Sequence, residues 1–112
     1  MATARVRRGR KTQELVADRL RHLYPDAKGV PASLPGVDVL NTPGLALEVK
    51  ATASVTLPAW LRQARKNAQP GDLPVAIYRP NGAGPESIDD WGAVIPFGEL
   101  VRMLEGLGYG DG

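Results

Sequence analysis

The chain has 112 residues, 43% apolar and 23% charged, with 14 Lys and Arg against 12 Asp and Glu; material of this length builds one core, so a single domain over 1–112 is expected. With no cysteine and one histidine, His22, it excludes disulfide scaffolds, zinc fingers, thiol nucleophiles and His-rich metal sites. No run approaches the roughly 20 apolar residues that span a bilayer, and the N-terminus lacks the apolar stretch of a secretory signal, so a soluble, cytoplasmic protein with no membrane partner is expected.

Residues 1–9 show no periodicity and read as a flexible basic arm. From about Lys11 to Tyr24, Leu15, Val16, Leu20, Leu23 and Tyr24 recur at helical spacing, and Pro25 ends the pattern. On that helix Gln13 lies about 60° from the centre of the apolar face and Glu14 about 160° from it, which turns Gln13 inward and Glu14 outward. Residues 25–36, with three Pro and two Gly, read as a loop with one short edge strand near Gly29–Ser33.

Val37–Leu40 and Leu45–Lys50 are β-prone runs flanking Asn41-Thr42-Pro43-Gly44. A hairpin with a three-residue loop of Thr42, Pro43 and Gly44 pairs Val37 with Val49, Asp38 with Glu48 and Val39 with Leu47. Alternation then sends the apolar residues to one face and Asp38, Glu48 and Lys50 to the other. A loop one residue longer or shorter would separate Asp38 from Glu48.

A second helix is predicted from Leu57 to about Ala68, with Leu57, Trp60, Leu61, Ala64 and Ala68 on one face and Pro58 in the first turn. Gln63 and Asn67 share an edge with Trp60, and Arg62, Arg65 and Lys66 lie on the outer side. Leu73–Tyr78 reads as a strand buried on both faces. A polar turn follows through Pro85, then a strand over Trp91–Ile95 and a last helix over Phe97–Leu107, with a flexible tail over 108–112. Trp60 and Trp91 are expected in the core. The fold class is α/β: order α-β-β-β-α-β, a small mixed sheet flanked by helices, and a C-terminal helix.

Charge is unevenly spread: residues 1–28 carry a net +5, residues 57–82 a net +3 and residues 83–112 a net −5. Arg7, Arg8, Arg10 and Lys11, with Arg62, Arg65 and Lys66, suit a polyanion, because each neutralised phosphate releases counterions; a basic tail and a solvated helix face are the other reading. Between the two basic blocks lies the pattern D-x9-E-x-K, formed by Asp38, Glu48 and Lys50. Two carboxylates close together on one sheet face repel unless a divalent cation lies between them, and hard oxygen ligands favour Mg²⁺ or Mn²⁺. The Val49 carbonyl could add an oxygen, and Lys50 could orient or deprotonate a water attacking a phosphodiester. A solvated Glu48–Lys50 pair on an exposed hairpin is the alternative.

At these residues the sequence resembles the PD-(D/E)xK nuclease superfamily, in its Holliday-junction resolvase-like branch. The strings Arg10-Lys11-Thr12-Gln13, Pro43-Gly44-Leu45-Ala46-Leu47-Glu48-Val49-Lys50-Ala51 and Trp60-Leu61-Arg62-Gln63-Ala64 further resemble resolvase-like proteins of actinobacterial phages, over roughly residues 7–95. The resemblance implies a restriction-endonuclease-like core, with Asp38 and Glu48 as metal ligands, Lys50 as the catalytic lysine and DNA as substrate; for a phage protein the compartment is the host cytoplasm. Resolvases usually carry a Glu four residues beyond a helix-1 Gly; counting from Gly9 gives Gln13, a weaker ligand that could act through a water, whereas Glu14 would need a rotated helix. Ser33 lies near, not at, the position of a resolvase loop serine. Gln63 stands where several members place a glutamine near the metal, and an amide capping nearby backbone is the other reading.

The expected function is Mg²⁺-dependent resolution of four-way DNA junctions, with Mn²⁺ able to substitute. Paired nicks across a two-fold junction imply a C2 homodimer, with the C-terminal helix and Trp91 region as candidate interface. The rivals are another endonuclease of the superfamily, since substrate choice lies outside the trio, and a DNA-binding protein weakened by the missing helix-1 carboxylate.

Overall fold

Val16 and Ala17 are buried while Glu14, Asp18 and Arg19 are exposed, so the 3.6-residue period holds through α1, which covers residues 12–20. The computed structural model describes residues 12–30, 35–51 and 56–110. After α1 come β1 (Lys28–Gly29), β2 (Val39–Leu40), β3 (Leu45–Lys50), α2 (Leu57–Asn67), β4 (Leu73–Tyr78), a 3₁₀ helix (Pro85–Asp90), β5 (Gly92–Val94) and α3 (Phe97–Gly106). The fold is mixed α/β, with small sheets flanked by helices and a helix near the C-terminus.

The main sheet has the order β3-β4-β5. β4 runs parallel to β3, from Leu45 opposite Leu73 to Lys50 opposite Tyr78, and β5 pairs antiparallel to β4. Alternation along β3 and β4 sorts the side chains. Leu47, Val49 and Val75 join Val16, Ala17, Ala27 and Val39 in the core on the α1 side. The other face, carrying Ala46, Glu48, Lys50, Ala76 and Tyr78, lies under α2, where Trp60 stacks on Tyr78 with ring centroids 5.5 Å apart. Ala46, Ala64 and Ala76 are fully buried, and such small residues let α2 lie close to the sheet. α2 therefore covers the face that bears the charged residues of β3.

The first helix ends at residue 20 rather than Tyr24. The Arg21 and Leu23 N–H groups bond three residues back, to Asp18 and Leu20, tightening the chain into a turn, and Leu23 is left 64% exposed. β1 lies against α1 because Gly29 permits it: a Cβ there would sit 2.9 Å from the Glu14 backbone nitrogen. Its N–H donates to Glu14 Oε1 at 2.8 Å.

The expected β2–β3 hairpin ladder is replaced by a different arrangement. β2 pairs antiparallel with β1, Gly29 opposite Val39, in a separate two-stranded sheet. The connection from β2 to β3 has four residues, with Asn41 at φ 64° and Gly44 at φ 89°. Gly44 takes the positive φ expected of it, in a turn closed by Leu45 N–H to Thr42 O at 3.0 Å. A 3₁₀ helix over Pro85–Asp90 follows the expected turn, and α3 stops one residue before the predicted Leu107.

Candidate functional site

Asp38 is held at the border between the two sheets by three hydrogen bonds. Its carbonyl accepts from Val30 N–H at 2.9 Å and its N–H donates to Leu47 O at 2.9 Å, while its Oδ2 accepts from Val49 N–H at 2.8 Å. The N–H to Leu47 replaces the predicted pairing of Asp38 with Glu48. In a regular ladder that one-residue slip would carry Asp38 to the opposite face. Here the side chain itself takes the Val49 N–H where a backbone carbonyl would continue the ladder, and the carboxylate stays beside Glu48.

Glu48 is 1% exposed, unusual for a carboxylate unless it is partnered. Asn67 Nδ2 donates to its Oε1 at 2.9 Å, and Lys50 Nζ lies 3.8 Å from its Oε2. Burial pushes the Glu48 carboxyl from its ordinary 4.5 up to about 7; the Asn67 hydrogen bond and Lys50 oppose the rise, and the Asp38 carboxylate, close enough for a hydrogen bond, adds to it. A cation placed between the two carboxylates would remove that repulsion.

Lys50 is half-buried, and its Nζ donates to Gln63 Oε1 at 2.9 Å. Gln63 thus supplies a hydrogen-bond partner for the amine. Gln13 enters from α1, faces inward as its helical phase requires and is 4% exposed; among the described residues its Oε1 is buried with no hydrogen-bond partner. Glu14 faces outward, paired with Arg21 at 3.2 Å. Gln13, Asp38, Glu48, Lys50 and Gln63 border one cleft of about 380 Å³, lined also by Val49 and, from α2, by Lys66 and Asn67. A larger groove of about 770 Å³ beside β2 is mainly apolar, with Asp72 as its one charged lining residue among those described; the smaller cleft holds the convergent polar groups that chemistry needs.

Comparison of the chain with protein-family models, curated proteins and solved structures finds no match.

The donor set suits a hard divalent ion. Among the described residues no three His, Cys, Asp or Glu side chains cluster, but Mg²⁺ commonly binds through one or two carboxylates and keeps several waters. The Gln13 Oε1, without a hydrogen-bond partner among the described residues, is buried on a residue that borders the same cleft, and Asp38 Oδ1 is not engaged by Val49. Asn67 was the residue missed: the sequence put it on the Gln63 edge of α2, four residues on, but only the fold shows that it reaches Glu48. Of the basic residues, Arg62 and Arg65 are exposed on α2 and Lys66 leans into the cleft; Arg7, Arg8, Arg10 and Lys11 lie outside the described residues, as does Ser33. Trp60 is buried and Trp91 half-buried beneath the Arg79 guanidinium, 5.0 Å from its ring centroid, which fits packing rather than base stacking.

Proposed function

We propose that the protein is a Mg²⁺-dependent DNA endonuclease with a restriction-endonuclease-like core, acting on four-way junctions as a resolvase-like member of the PD-(D/E)xK superfamily. The observation that carries this reading is the shared cleft of two facing carboxylates, one 1% exposed, and an amine held 2.9 Å from a glutamine oxygen. Asp38, Glu48 and the Val49 carbonyl would hold the ion, with Gln13 receiving one of its waters. When bound, Mg²⁺ supplies positive charge for the phosphorane-like transition state and makes a water more acidic. Lys50, steered by Gln63, stands at the cleft to orient the attacking water and to offset charge developing on the phosphate oxygens. Arg62, Arg65 and Lys66 give the approaching backbone a positive flank.

Paired nicks need two such clefts, so a homodimer is part of the proposal. α3 offers it a surface: none of its residues is buried, Phe97 is 79% exposed, and Leu107, just past its end, is 74% exposed. Cleavage of four-way junction, flap and linear duplex DNA side by side tests the substrate. Preference for the junction is expected; equal cleavage of all three would point to a general endonuclease, and junction binding without cleavage to a DNA-binding protein.

A further inference from the structure

We infer that Asn67 is a positioning residue that ties the two carboxylates of the cleft together and so sets its affinity for a divalent ion. The inference rests on the metal-dependent reading above and deepens it. An Asn amide has two N–H donors, and both are committed across chain segments: one to Glu48 Oε1 at 2.9 Å and one to Gly36 O at 3.2 Å. Glu48 belongs to β3, whereas Gly36 stands two residues before Asp38 on the non-strand segment leading into β2. One side chain on the last residue of α2 therefore bridges the two segments that carry the paired acids.

The effect is geometric. Two ionised carboxylates side by side repel, and Lys50 holds Glu48 only loosely, its Nζ at 3.8 Å, beyond ordinary hydrogen-bond length. By donating to Oε1, Asn67 restrains the Glu48 carboxylate and leaves Oε2 free of that bond. By holding Gly36 it also limits how far the Asp38 segment can swing. Groups that hydrogen-bond metal ligands act on affinity in this way.

Mn²⁺ titration of the full chain at fixed pH, followed by calorimetry or electron paramagnetic resonance, tests the inference on wild type, Asn67→Ala, Asn67→Leu and Asn67→Gln, with thermal melts to confirm folding. Asn67→Ala and Asn67→Leu are expected to bind Mn²⁺ about 10- to 100-fold more weakly, and Asn67→Gln, which keeps the donor, to recover part of the loss. The Mg²⁺ concentration for half-maximal cleavage should rise by the same factor. Folded Asn67→Ala with Mn²⁺ affinity within about twofold of wild type would overturn the inference while leaving the metal reading intact. Loss of folding in both donor-free variants would also overturn it, assigning Asn67 a structural role. Wild-type protein that takes up no Mn²⁺ would instead sink the metal reading, and this inference with it.

Discussion

Asp38 and Val49 are joined by a hydrogen bond in which a side-chain carboxylate accepts a strand N–H at 2.8 Å. The contact closes the gap between two small sheets and at the same time aims an acidic group at the cleft, so structure and proposed chemistry meet in one residue. Asp38→Asn keeps an acceptor for Val49 and removes only the charge. It is expected to fold with stability near wild type, to bind DNA and to lose Mg²⁺-dependent cleavage. Asp38→Ala leaves the Val49 N–H without its acceptor and should cost about 1–3 kcal/mol in urea unfolding. Equal stability of the two variants would contradict this double role.

Lys50 and Gln63 form a unit. Lys50→Ala is expected to lower the cleavage rate at saturating Mg²⁺ by about 100-fold or more while junction affinity is largely kept. Gln63→Ala frees the amine without removing it, and a smaller loss, about tenfold, is expected. Single-turnover cleavage reads both; a Gln63→Ala loss as large as that of Lys50→Ala would mean that Gln63 touches the reacting atoms itself.

In metal-free protein the Glu48 carboxyl, raised to about 7 from 4.5, binds its proton more tightly when folded than when unfolded. Its contribution to stability is therefore complete below about pH 4.5 and is lost as pH rises through 7. The loss over that window is on the order of 3 kcal/mol. Urea unfolding in EDTA should show stability falling between pH 5 and pH 8, with the fall much reduced in Glu48→Gln; an identical slope in that variant would place the titration elsewhere.

The Gln13 Oε1, buried without a partner among the described residues, makes opposite demands on stability and binding. Gln13→Leu removes an unsatisfied polar atom and is expected to stabilise the metal-free protein by about 1 kcal/mol. The same change should weaken Mn²⁺ uptake, because a water on the ion loses its acceptor. Destabilisation in EDTA together with unchanged Mn²⁺ affinity would contradict the placement of Gln13 in the site.

The exposed apolar residues Phe97 of α3 and Leu107 just beyond it give the homodimer a specific test. Phe97→Asp and Leu107→Asp are expected to shift sedimentation at micromolar concentration from dimer to monomer without altering the circular dichroism spectrum. A wild-type monomer, with and without junction DNA, would remove the paired-nick part of the proposal.

What was legible in the sequence was periodic. Leu73–Tyr78 has the predicted bounds, and the alternation of Leu47 and Val49 with Glu48 and Lys50 placed Glu48 and Lys50 on one face. The inward phase of Gln13 followed from helical geometry alone. Register was not legible, because it turned on whether Val39–Leu40 would pair with Leu47 or with Gly29. Only the close approach of Gly29 to α1 decides that. Asp38 reached Glu48 by a side-chain hydrogen bond that no ladder rule describes, and Asn67 entered the site because α2 ends where its amide meets both β3 and Gly36.

The central claim is that paired acids and an amine in one cleft make this chain a metal-dependent nuclease. Incubating wild type and Asp38→Asn with a synthetic four-way junction in Mg²⁺, Mn²⁺ or EDTA tests it most directly. Symmetrically nicked products from wild type in Mg²⁺ and Mn²⁺, and none in EDTA or from Asp38→Asn, are expected. Intact junction in every lane, with the protein bound to it, would contradict the claim.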